Sequence, residues 1–120
     1  MNNDYIKNDE LLYREQVLAE RRKAKEQKLL EDLEIMNFHA YIADMIEGPQ
    51  GSELKKKAIE ICDRWEKEQM CSAYYIDEWR RMLSMSPKKM RKAMLREESK
   101  GIGFRQNSPF FSMGIRYENK

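Results

Sequence analysis

Positively charged side chains toward the C-terminal end are the residues whose type and spacing best suggest a function. Lys88, Lys92 and Arg96 are four residues apart, so on a continuous helix they would form a line of positive charge along one face. Ser86-Pro87, just before them, is a typical helix start, and the N–H groups of a helix N-terminus also favour phosphate. The sequence therefore predicts an anion or nucleic-acid contact by Arg80, Arg81, Lys88, Lys89, Arg91, Lys92, Arg96 and Arg105.

The formal charge of +2 is unevenly distributed over the 120 residues. Residues 1–34 hold 7 Lys/Arg and 9 Asp/Glu, a net charge of −2, and residues 35–78 hold 5 and 9, a net of −4. Residues 79–120 hold 11 and 3, a net of +8. Such asymmetry indicates a polyanionic partner for the basic third, or contact with an acidic protein surface, including the chain's own residues 53–78.

Residues suited to catalysis or metal binding are sparse. His39 is the single histidine, and Cys62 lies beside Ile61 and Trp65 on an apolar helical face, which favours packing over nucleophilic chemistry. Cys71 is nine residues further on, so the closely spaced ligands of a structural zinc site are absent from the sequence. No glycine-rich phosphate loop is present, and no close pair of carboxylates stands out as an acid/base couple. We therefore predict no catalytic, metal or cofactor-binding residues, and a protein that is not an enzyme.

A long charged helix is predicted from Asp9 to about Met36, because this stretch contains no Gly or Pro. Between residues 20 and 28 the only apolar side chain is Ala24, so the middle of the helix has no face to bury. We expect residues 1–36 to project as a separate helix. The spacing predicts a loose apolar stripe along this helix, made of Leu11, Leu18, Leu29, Leu33 and Met36. Leu11 and Leu18 are the candidates to contact a partner protein or a second copy of the chain.

Four shorter helices are predicted in residues 37–101, which we interpret as a helical bundle. The first covers Phe38 to Met45 and ends at Gly48-Pro49, and the next begins near Ser52. The third begins at Ser72, and the fourth runs from Ser86-Pro87 to Gly101. The predicted fold class is all-α, in which apolar helical faces pack as an irregular bundle around Trp65, Ile76, Trp79, Met82, Leu83, Met90 and Met94.

Residues 102–120 form an apolar and basic segment that is too hydrophobic for an ordinary disordered tail. We predict a strap that either packs on the helices or contacts a partner, with Phe110 and Phe111 as candidate contacts. The stretch from Trp65 through 71–79, followed by 105–110, resembles a pattern in short bacterial proteins. The likeness covers roughly the C-terminal half and implies a small bacterial or mobile-element protein, with no activity attached.

Two functions remain open from the sequence. The first is a small non-enzymatic regulator or adaptor, antitoxin- or inhibitor-like, that binds another protein through the N-terminal helix or the C-terminal segment. The second is a nucleic-acid-binding protein that uses residues 80–105. Because the N-terminus is polar and no apolar run approaches the ~18 residues of a membrane span, we expect a cytoplasmic protein without membrane partners.

Overall fold

The computed structural model describes residues 3–117, with side chains from residue 8 onward, and confirms the predicted all-α fold. No strand occurs within that range, and none of its helices is long and apolar enough to cross a membrane. The elements in chain order are α1 (Asn3–Glu47), α2 (Gly51–Glu68), α3 (Ala73–Leu83), α4 (Pro87–Met94), α5 (Ser99–Gln106) and a 3-10 helix (Pro109–Met113).

The chain divides into two units, one up to Leu33 and one from Glu34 onward. The predicted break between helices near Met36 is absent, and α1 continues unbroken to Glu47. The reason is that no Gly or Pro lies in this stretch, so nothing interrupts the hydrogen-bond ladder. The predicted stop at Gly48-Pro49 is confirmed, since Gly48 N–H donates to Met45 O in a tight turn (3.1 Å).

The hydrophobic core of the second unit contains the apolar face predicted for α3. Trp79 is inaccessible to solvent, and its indole Nε1–H donates to the carbonyl oxygen of Phe104 at 3.1 Å. Trp65, in contrast, is only half-buried at the edge of the core. The largest side chains that are fully buried in the core are Ile42, Cys62, Ile76, Trp79, Met82, Met90, Met94 and Phe110.

The turn between α2 and α3 is closed by local backbone chemistry. Gln69 adopts a left-handed conformation (φ 54°) after α2, and Met70 N–H returns to Trp65 O at 2.9 Å. Ser72 is the N-cap of α3, as predicted, because its hydroxyl oxygen accepts from Tyr75 N–H. The buried faces of α2 and α3 therefore pack against each other.

The helix predicted from Pro87 to Gly101 is in fact two helices, and this corrects the sequence interpretation. α4 ends at Met94, and the Arg105 guanidinium donates to the carbonyl oxygens of Met94 (3.1 Å) and Arg96 (2.6 Å). Gly101 lies inside α5 rather than ending a helix. A Cβ at Gly101 would lie 2.3 Å from Arg96 O, so glycine is required here by close backbone approach.

The C-terminal segment packs on the second unit through a short 3-10 helix. Ser108 caps this helix, since its Oγ accepts from Phe110 N–H at 3.2 Å. Phe110 is fully buried beside Trp79, with ring centroids 5.8 Å apart. Gly114 ends the 3-10 helix in a left-handed conformation (φ 66°).

Candidate interaction surfaces

Four of the five arginines in the predicted anion-binding set are held by carboxylates of the chain itself. Arg80, near the end of α3, donates to Glu66 (2.6 Å) and Asp63 (2.8 Å) on α2. These two hydrogen bonds raise the pKa of Arg80 above its ordinary value. The guanidinium therefore joins two helices of the bundle, and its charge is compensated before any partner arrives.

Arg91 makes the same kind of link between α4 and the end of α1. Its Nη2 lies 2.5 Å from Asp44 Oδ1 and 3.0 Å from Glu47 Oε2. The hydrogen bond from Arg91 is the main cause that holds the pKa of Glu47 below its usual range. Arg91 therefore anchors α4, the helix that also carries Lys88, Lys89 and Lys92, to the end of α1.

Glu78 is shared by two further members of the set. Arg81 pairs with it one turn away on α3, and Arg96 donates to it at 3.0 Å. Both arginines lower the pKa of Glu78, with the hydrogen bond from Arg81 as the largest cause. The Arg96 guanidinium also lies 5.0 Å from the ring centroid of Phe104, a cation–π contact.

Arg96 therefore does not extend a line of charge from Lys88 and Lys92, contrary to the sequence prediction. It follows the end of α4, and its side chain is only 25% exposed. Arg105 is 3% exposed and binds backbone carbonyls, so it too is unavailable at the surface. The members of the predicted set that are exposed and form no ion pair with another described residue are Lys88, Lys89 and Lys92.

This count gives a testable limit on nucleic-acid binding. If labelled duplex DNA is retained at low salt, three lysine contacts predict a log–log salt slope of about −3, whereas eight contacts would give about −7. Replacing the three lysines by Glu should abolish that retention and leave the helical circular dichroism unchanged. A slope near −7 in the wild type would mean that the ion-paired arginines are released to bind phosphate.

The residues predicted to contact a protein partner fall into two groups. Leu11 and Leu18 are 53% and 52% exposed on α1, and Phe111 is 46% exposed while it stacks on Phe38. Phe110 is buried in the core, so it is a packing residue and not the exposed partner contact that the sequence predicted. The reason is that successive residues of a 3-10 helix lie about 120° apart, so Phe110 turns into the core while Phe111 stays partly at the surface.

The apolar surface on α1 is wider than the stripe predicted from the sequence, which did not include Leu12 and Leu30. Six leucines there are each more than half exposed, and we call them the leucine stripe: Leu11, Leu12, Leu18, Leu29, Leu30 and Leu33. At 3.6 residues per turn, Leu11, Leu18, Leu29 and Leu33 fall within an arc of about 60°. Leu12 and Leu30 lie beside this arc at the same angle around the helix, because they are separated by five whole turns. That spacing is the sequence signal from which they could have been predicted.

The single histidine and one of the two cysteines lie inside the protein. His39 is inaccessible to solvent, and its Nδ1–H donates to Ile35 O at 2.8 Å, which leaves Nε2 unprotonated and without a hydrogen-bond partner. Burial lowers the pKa of His39 from 6.5 to about 4, the hydrogen bond to Ile35 opposes the shift, and the charge of Arg105 adds to it. Burial also raises the pKa of Cys62 to about 11, so this thiol remains protonated in the core.

No group of three or more His, Cys, Asp or Glu side chains within the described part of the chain could hold a metal ion. Comparison with known proteins finds no matching family model, no matching curated protein and no matching solved structure. The surfaces of the molecule itself therefore carry the functional inference: the leucine stripe, and the three exposed lysines of α4.

Proposed function

We propose that this chain is a small non-enzymatic adaptor or regulator that binds another protein through the leucine stripe. The observation that carries the proposal is the exposure of six leucines, from 52% to 61%, within residues 11–33 of a single helix. Large apolar side chains exposed together at two places on one helix typically mark an interaction site of a soluble protein.

The energetics of α1 support this interpretation. Every residue from Leu18 to Glu31 is exposed, so the leucines do not contribute to a core within their own unit. Full burial of a leucine side chain stabilises a complex by about 1.5–3 kcal/mol. Burial of these six half-exposed leucines against a partner therefore contributes several kcal/mol to the free energy of binding.

Phe111 adds a second, smaller apolar surface on the other unit. It stacks on Phe38 with ring centroids 4.9 Å apart, and Tyr41, 37% exposed, stands beside Tyr117 at 5.3 Å. Exposed aromatic side chains are enriched where proteins meet, because they bury a large area at low cost in side-chain entropy. We include this aromatic surface as a secondary contact.

Nucleic-acid binding is the alternative function. It is supported by the exposed ammonium groups of Lys88, Lys89 and Lys92 on one short helix. Lysine contacts with phosphate give affinity with little sequence preference. The internal pairing of Arg80, Arg91 and their neighbours weakens this alternative, since it leaves only three free cations from the eight that the sequence suggested.

Capture from a lysate of the native cells tests the proposal against the alternative. The wild-type chain should retain a protein that survives nuclease treatment and elevated salt, because buried apolar area responds weakly to ionic strength. A Leu18→Asp/Leu29→Asp variant should lose that protein, and Lys88→Glu/Lys89→Glu/Lys92→Glu should keep it. Loss of the bound material in the lysine variant or on nuclease treatment would instead support nucleic-acid binding.

A further inference from the structure

We propose that the leucine stripe is occupied by a helix of a different protein, with an acidic centre between apolar, basic ends, and not by a second copy of this chain. The inference rests on the proposed function and adds the chemistry of the partner. The observation that supports it is the order of charges along α1. The exposed leucines alone do not specify the charge of a partner.

The charges of α1 alternate in three blocks around the stripe. Residues 8–20 contain four carboxylates and one arginine, a net charge of −3, and residues 29–33 contain two carboxylates, a net of −2. Residues 21–28 between them contain five Lys/Arg and one Glu, a net of +4. All of these central side chains are exposed, so the charge pattern is presented to whatever binds the leucines.

Two cations of the central block lie in the stripe itself. At 100° per residue, Arg22 and Lys25 fall within about 40° of the line through Leu11 and Leu29. A helix that packs on the leucines at both ends therefore passes directly over these two side chains. Glu26 lies about 60° from the same line, on the side away from Lys25, so the facing residues must compensate a net positive charge at the centre of the interface.

A second copy of α1 fails this requirement in both alignments that set Leu18 and Leu29 against leucines of the copy. In a parallel pair in register, Arg22 and Lys25 lie beside their own counterparts. In an antiparallel pair that sets Leu18 opposite Leu29, Arg22 of one copy lies opposite Lys25 of the other. Like charges beside an apolar seam oppose association, and such pairs are how helices select against a wrong partner.

A helix whose charges follow the opposite order pairs favourably with all three charged blocks of α1. Glu or Asp at its centre would pair with Arg22 and Lys25, and Lys or Arg toward its ends would meet the acidic blocks of α1. Leucine-type side chains on the same face would cover the two apolar ends of the stripe. The resulting contact is a helix-on-helix interface at the small end of the usual range, below about 1,200 Å² in total.

Two synthetic helical peptides of identical composition test the proposal. Both carry leucines spaced as in the stripe; one has Glu at the centre and Lys at the ends, and the other has the reverse. Fluorescence anisotropy with the full-length protein should show at least tenfold tighter binding of the acidic-centre peptide, because two central ion pairs of about 0.7 kcal/mol each amount to a factor of ten. The difference in affinity between the two peptides should become smaller in high salt.

Two protein variants make the result specific to this surface. Arg22→Glu/Lys25→Glu should reverse the preference between the peptides, and Leu18→Asp/Leu29→Asp should abolish binding of both while the helical circular dichroism remains.

Sedimentation of the purified wild-type chain should give a monomer. Equal affinity for the two peptides, or a dimer that the Leu18→Asp/Leu29→Asp variant dissociates, would overturn the proposed partner chemistry. Stripe-dependent capture from the lysate would still uphold the proposed function in that case, and its loss together with peptide binding would end both.

Discussion

Replacing Trp79 by alanine should lower the free energy of unfolding by about 3–5 kcal/mol, the largest effect expected from a single substitution in this chain. Trp79 is completely buried at the centre of the second unit, where Phe110 and His39 pack against its ring. Alanine would leave a cavity that the surrounding rings cannot fill. It would also remove the indole donor from Phe104 O, which is 3.1 Å away.

Urea denaturation followed by circular dichroism measures this loss, and Trp65→Ala is the matched control. Trp65 has the same chemistry but is only half-buried, so its replacement should cost distinctly less. The loss of stability in Trp79→Phe should lie between the losses in Trp79→Ala and Trp65→Ala. This variant keeps an aromatic ring and removes only the N–H donor and part of the volume. Equal costs for Trp79→Ala and Trp65→Ala would contradict the core described above.

Lowering the pH from 6.5 to about 4 should destabilise the fold by about 3 kcal/mol through His39 alone. In the unfolded chain His39 takes up a proton below pH 6.5, whereas burial lowers its pKa in the folded protein to about 4. Between these values the unfolded state binds more protons, so stability falls as pH falls. The stabilisation is complete above pH 6.5.

His39→Phe isolates this contribution, because phenylalanine fits the aromatic surroundings and does not titrate. The free energy of unfolding of the variant should be nearly constant between pH 6.5 and 4.5. Below that range the carboxylates Glu47 and Glu78, whose pKa values are held low by arginines, lose their own stabilisation in both proteins. A wild-type chain whose stability did not change between pH 6.5 and 4.5 would mean that His39 is hydrated or protonated in the fold.

The sequence predicted the helices and most of the core because both depend on local periodicity. The spacing of Ile76, Trp79, Met82 and Leu83 identified the buried face of α3 in full. Ser72 and Gly48-Pro49 fixed the helix ends, because capping and the loss of a backbone donor act within a few residues. Trp65 shows the limit of periodicity, which places a residue on a face and not at a depth.

The end of α4 could not be predicted in the same way, because its cause is non-local. Arg105 satisfies the carbonyl oxygens of Met94 and Arg96 from eleven and nine residues away, and no local signal in residues 87–101 marks that interruption. Gly101 was interpreted as a helix stop. Its actual role, to admit Arg96 O close to the backbone of α5, depends on how two helices meet.

The candidate sites show the same division between local and long-range information. The basic side chains were visible in the sequence, and so was the net negative charge over 35–78 that includes Asp44, Asp63 and Glu66. Which carboxylate reaches which guanidinium depends on α2, α3 and α4 packing together, so the neutralisation of Arg80 and Arg91 required the structure. The leucine stripe was visible in part from the sequence, through the spacing of Leu11, Leu18, Leu29 and Leu33.

Site-specific photo-crosslinking in the native cells tests the central claim, protein binding through the leucine stripe, most directly. A photoreactive side chain at position 18 or 29 should yield a crosslink to another polypeptide. The same group in place of Glu20 or Gln27, on the opposite side of α1, should yield little or none. Crosslinks of equal yield from both sides of the helix, or crosslinks from the stripe to nucleic acid, would contradict the account.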